Sequence, residues 1–132
     1  MPNRVLAYRT ATLTNAAESA NNTETVVCTL AGVTCEYDGS TVRFHGWLKA
    51  TTGTGTTAGL LRIRRDSLTG TSIGEATAET GPFVASKTLD ASIDADDTSR
   101  TLAGATYVMT YQGTGDTAVT NFLAAALSAE IF

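Results

Sequence analysis

Three groups of residues have the types that chemistry requires. Gly70-Thr71-Ser72-Ile73-Gly74 has the spacing of a nucleophile elbow, and with His45 and several aspartates a Ser-His-Asp hydrolase can be written down. An elbow works only as a strained strand-to-helix turn on a parallel sheet. The flanking sequence supplies no helix, so a β-turn between two strands accounts for the same five residues. Asp90, Asp94, Asp96 and Asp97 gather around one expected loop and carry the hard oxygens that calcium prefers. They lack the glycine and terminal glutamate of an EF-hand, which makes a solvated acidic loop the expectation. Cys28 and Cys35 are too few, even with the lone His45, for a zinc site. A two-residue hairpin turn at Ala31-Gly32 would set the two cysteines face to face for a bridge. Two half-buried free thiols is the reading adopted, since cytosolic synthesis keeps thiols reduced. No catalytic residue, metal ligand or cofactor is assigned.

Recognition is the chemistry that remains. Thr41 to Ala50 alternates, with Val42, Phe44 and Leu48 on one side and Arg43, His45, Trp47 and Lys49 on the other. If the even-numbered side faces an interior, a tryptophan flanked by Arg43, His45 and Lys49 is left outside, the composition in which interface centres are enriched. Leu61 and Ile63 alternate with Arg62 and Arg64 in the same way, and these arginines, with Arg65, either grip a partner's carboxylates or form a solvent face. Arg43, His45, Trp47, Lys49, Arg62 and Arg64 are the candidate interface residues. Two other readings of Trp47 stay open: it lies under a loop of its own chain, or it stacks on sugar together with Tyr8.

The elements that must position these residues are strands. Threonine is the commonest residue, 12 glycines accompany only two prolines, and 132 residues suffice for one domain, 1–132, with one core. Strands are expected over Arg4–Leu13, Thr25–Leu30, Thr41–Ala50, Leu60–Ser67, Ser72–Thr80, Phe83–Asp94, Ala105–Gln112 and the final segment from Thr117. Turn chemistry lies between them at Asp38-Gly39, Thr51–Gly59, Thr69-Gly70, Gly81-Pro82, Ala95–Gly104 and Gly113–Asp116, with a polar connector over Thr14–Asn22. The last segment also suits a helix capped by Asn121. A strand is preferred because Val119, Leu123, Leu127 and Ile131 share one side at period two. The expected core is Val42, Phe44, Leu48, Leu61, Ile63 and either Tyr107 with Met109 or Val108, inside an all-β, eight-stranded antiparallel sandwich.

A net charge of −4 gives no electrostatic reason to expect a nucleic acid partner. No apolar run approaches the ~20 residues of a membrane helix, and MPNRVLAYRT has no signal-peptide h-region. The expectation is a soluble chain made in the cytoplasm, in which the glycosylation pattern at Asn21-Asn22-Thr23 is a chance match.

The segment Asp38 to Ala76, with Gly46-Trp47 followed by a Thr-Gly loop, the strand Leu61-Arg62-Ile63-Arg64-Arg65 and a Thr-Gly turn, resembles the small jelly-roll virion proteins of tailed bacteriophages. These are head decoration or minor structural proteins, often with a tumour-necrosis-factor-like sandwich. The resemblance extends weakly to Ala103–Phe132 and hardly at all to the first forty residues. It implies a jelly roll and a homotrimer on a capsid or tail surface. The implied role is a non-enzymatic cement protein that contacts the major capsid protein or another virion protein, without nucleic acid or membrane as partner. Synthesis would be in the host cytoplasm. A carbohydrate- or receptor-binding module of a phage particle is the alternative. Asp38-Gly39 departs from the pattern, being a tight-hairpin signal where a jelly roll crosses between sheets.

Overall fold

A computed structural model describes residues 6–10, 13–34, 41–53, 55, 58–80, 87–98, 105–115 and 117–131. They form eight strands: β1 (Leu6–Thr10), β2 (Thr25–Val33), β3 (Val42–Thr51), β4 (Ala58–Arg65), β5 (Ser72–Thr80), β6 (Thr88–Asp97), β7 (Ala105–Thr114) and β8 (Asn121–Ile131). Two four-stranded antiparallel sheets run in the orders β1-β8-β3-β6 and β2-β7-β4-β5. Each strand of the first half pairs with its counterpart in the second, β1 with β8, β2 with β7, β3 with β6 and β4 with β5. Of the seven connections only β4 to β5 stays within a sheet.

The core forms where the inward sides meet. Val42, Phe44, Leu48, Leu61 and Ile63 are buried as the alternation predicts, with Tyr107, Met109 and Tyr111 from β7 and Leu89 and Ile93 from β6. Phe44 and Tyr107 pack across the sheets with ring centroids 4.3 Å apart. Each such side chain contributes roughly 1.5–3 kcal/mol by leaving water. Tyr107 with Met109 is thus the inward pair. Val108 is covered as well, on the opposite side of β7, where it registers with Arg64 and Thr29.

Four expectations are corrected. The strand expected over Thr25–Leu30 does not break at Ala31-Gly32: β2 continues to Val33 with a register shift, Gly32 taking a left-handed φ of 71°, and Cys28 registers with Met109. Cys35 lies outside the described residues, as do Asp38-Gly39 and Gly81-Pro82. Ala95–Asp97 is strand, because β6 pairs with β3 along its full length. The β8 segment is a strand, but its inward side is Phe122, Ala125, Leu127, Ala129 and Ile131, while Leu123 is 53% exposed. A bulge opposite Lys49 and Ala50 inserts one residue and reverses the face. The connector before β2 is pinned as well as polar: Ala17 bridges Asn121, and Glu18 is buried.

Candidate protein-binding face

The outer side of the β1-β8-β3-β6 sheet gathers four of the six candidate residues. Arg43, His45, Trp47 and Lys49 all point outward from β3 because Val42, Phe44, Leu48 and Ala50 fill the core. Antiparallel register sets each opposite a fixed neighbour on β6: Arg43 with Asp96, His45 with Asp94, Trp47 with Ser92 and Lys49 with Asp90. Arg43 Nε donates to Asp96 Oδ1 at 3.2 Å, and His45 Nδ1 meets Asp94 Oδ1 at 2.8 Å. Three of the aspartates expected in a loop are therefore one wall of this face. On the other flank, β8 places Glu130, Ser128, Ala126 and Ala124 beside Arg43, His45, Trp47 and Lys49.

Trp47 stands where this ladder has no charge. It is 39% exposed, with Ser92 on one side and nearly buried Ala126 on the other. Leu123, turned outward by the β8 bulge, adds a second exposed apolar side chain to the sheet. Tyr8 registers with Ala129, and its side chain lies outside the described residues.

Arg62 and Arg64 do not join this face. They lie on the other sheet, where both are largely covered. Arg64 grips Glu24 through Nε and Nη2 at 2.6 and 2.9 Å and donates Nη1 to the Gly70 carbonyl. Arg62 donates to Glu24, Glu75 and Gln112, and Thr110 Oγ1 donates to Glu24 at 2.6 Å. Burial pushes the Glu24 carboxyl up, but the hydrogen bonds from Arg64 and Thr110 and the charges of Arg64 and Arg62 outweigh it and hold it below its usual range. The reciprocal hydrogen bond raises Arg64. These arginines thus brace their own chain.

Arg65 points inward and spans the two sheets. Its guanidinium binds Asp97 of β6, with Nη2 2.7 Å from each carboxylate oxygen, and the Tyr107 hydroxyl donates to the same carboxylate at 2.7 Å. Hydrogen bonding to Asp97 raises Arg65.

Sequence reading missed Glu18, in the connector, and Glu24, the residue before β2. Glu18 accepts the amides of Gly113 and Thr120 at 3.0 and 2.9 Å, holding the β7–β8 turn. The only signal was an acid in an otherwise small, polar segment for Glu18, and an acid next to the first residue of a strand for Glu24.

The elbow pattern is strand, turn, strand. Ser72 opens β5, its hydroxyl donates to the Gly74 carbonyl, and the turn before it closes with Arg65 N to Thr71 O at 2.9 Å. Gly74 is needed for close approach instead: a Cβ there would lie 2.5 Å from that of Ala95, where the edges of the two sheets meet. Burial pushes the Cys28 thiol up to about 12, which leaves it protonated and inert. Among the described residues no three His, Cys, Asp or Glu side chains gather to hold a metal ion.

No protein-family model matches the chain, and no curated protein matches it. Among solved structures the fold is similar to that of the infectious bursal disease virus VP2 subviral particle, at 6% identity over 97% of this chain with a TM-score of 0.57. It is also similar to the structure of the Gx strain of that virus, at 11% identity over 96% of this chain with a TM-score of 0.54. The chain spans 33% of the length of each of these. A further similarity, at 14% identity and a TM-score of 0.43, is to the tripod from the baseplate of bacteriophage Tuc2009. At these identities the likeness establishes an all-β fold and leaves the role to the site.

Proposed function

We propose that the chain is a non-enzymatic structural protein of a virion, a head decoration or minor capsid or tail protein on the particle surface, which associates as a homotrimer and contacts neighbouring virion subunits. The observation that carries this reading is the outer face of β1-β8-β3-β6, where Trp47 and Leu123 are exposed on strands whose inward side chains, on β3 and β8, are buried in the core. A large aromatic displayed on a rigid strand loses little conformational entropy on docking, which suits it to anchor a protein contact.

Two further observations support the reading. The nested pairing, with all but one connection crossing between sheets, supports a jelly roll, a sandwich wound as two Greek keys and common in viral capsid domains. The fold likeness at TM-scores above 0.5 is to virus structures. Stabilisation would come from buried contact: a specific interface takes about 800 Å² from each partner, a small share of the 6309 Å² this chain exposes.

Two measurements test it. Sizing of the isolated protein should return about three times the monomer mass, and a clean monomer at micromolar concentration overturns the trimer. Particles lacking the protein should take up the purified chain, while Trp47→Ala, folded by circular dichroism, should bind at least roughly 30-fold more weakly, the loss of one interface anchor. Equal uptake of the variant removes this face from the assembly contact.

A further inference from the structure

We infer that the Trp47 face is the contact for a different polypeptide, one presenting an apolar recess rimmed by lysine or arginine, and that it remains open when copies of this chain associate with each other. This rests on the proposed role only in taking the face as a protein contact.

Charge carries the argument. Over the β6, β3 and β8 rows the face holds four carboxylates, Asp90, Asp94, Asp96 and Glu130, against two permanent cations, Arg43 and Lys49, and a third, Arg9, registers with Ser128 on the far strand β1, away from the carboxylates of β6. Arg43 is already taken by Asp96 and His45 by Asp94, whose side chain is still 76% exposed. The apolar centre at Trp47 is thus walled along β6 by carboxylates with capacity left to accept hydrogen bonds.

A second copy is poorly matched to this wall. The chain carries a net charge of −4. Its Arg62 and Arg64 are engaged by Glu24 and Glu75, and its Arg65 by Asp97. Pressing one acidic copy onto the carboxylate row of another would desolvate more negative charge than the remaining cations of the chain offset. A basic rim completes the row, and opposite potentials steer the encounter. Phosphate-rich surfaces are repelled for the same reason.

Trp47 is the only tryptophan, so its fluorescence reports on this face alone. Acrylamide quenching should be the same in the self-associated protein and in the protein diluted to monomer. Shielding of Trp47 on self-association overturns the inference while leaving the trimer intact; a protein that never self-associates, yet binds the probe below, overturns the trimer and leaves the inference standing. The probe is an alternating lysine–leucine hexapeptide, with its glutamate–leucine counterpart as control. The lysine peptide should shift Trp47 emission and lose affinity as salt rises. Asp90→Asn should weaken it roughly threefold, whereas Glu75→Gln, the same charge change on the opposite sheet, should not. Failure of the lysine peptide to bind, equal binding of the glutamate peptide, or equal effects of the two substitutions overturns the assignment.

Discussion

Glu24 gathers the prongs of Arg64, a bond from Arg62 and the hydroxyl of Thr110 onto one carboxylate, and so ties the start of β2 across β7 to β4. Its depressed pKa fixes the sign of a pH effect. The folded state holds the charged form more tightly than the unfolded chain does, so the stabilisation is complete above the ordinary carboxylate pKa and is lost as pH falls through the lower folded value. Urea midpoints should therefore drop on acidification below the ordinary range. Glu24→Gln should lower stability at neutral pH by about 1–3 kcal/mol and flatten that acid limb; an unchanged limb would assign it to other carboxylates. Arg62 and Arg64 were legible as an outward pair by alternation alone. Their partner was not, because Glu24 reaches them only once β2 pairs with β7 and β7 with β4.

At the scale of elements, β3 was the most legible because a strand with one buried face writes its orientation into every second residue, and Val42 to Ala50 does so without interruption. β8 tests the limit of that rule. Its strand character followed from period two, but a single inserted residue exchanges inside and outside, and the partner strand decides where the bulge falls. Phe122→Ala should cost about 3–5 kcal/mol, because it empties core volume beside Tyr111. Leu123→Ser in the isolated chain should stay within about 0.5 kcal/mol of the parent. Thermal or urea unfolding of the two variants distinguishes this register from the one in which Leu123 points inward. β6 outran its sequence signal for a related reason: Ala95, Asp96 and Asp97 look like loop until β3 offers them a ladder of hydrogen bonds.

At the scale of the whole molecule, the two sheets are joined by their apolar core and, among the described residues, by one ionic cross-link, Arg65 to Asp97, to whose carboxylate Tyr107 also donates. Asp97 is almost wholly buried, so removing its cation leaves a charge without compensation. Arg65→Met should lower stability by about 2–4 kcal/mol, and adding Asp97→Asn should restore part of it; a double variant no better than the single would show that the charge is not the cause. The sequence by itself determined the strand content, the inward set of β3 and β4 and the outward placement of Trp47, because side-chain alternation is local and a chain of 132 residues has one core to point at. Only the tertiary structure decided which outward residues share a face. It set Arg43, His45, Trp47 and Lys49 against the aspartates of β6 and sent Arg62 and Arg64 to the opposite side of the sandwich, because strand pairing joins residues some fifty positions apart and nothing local encodes which strands become neighbours.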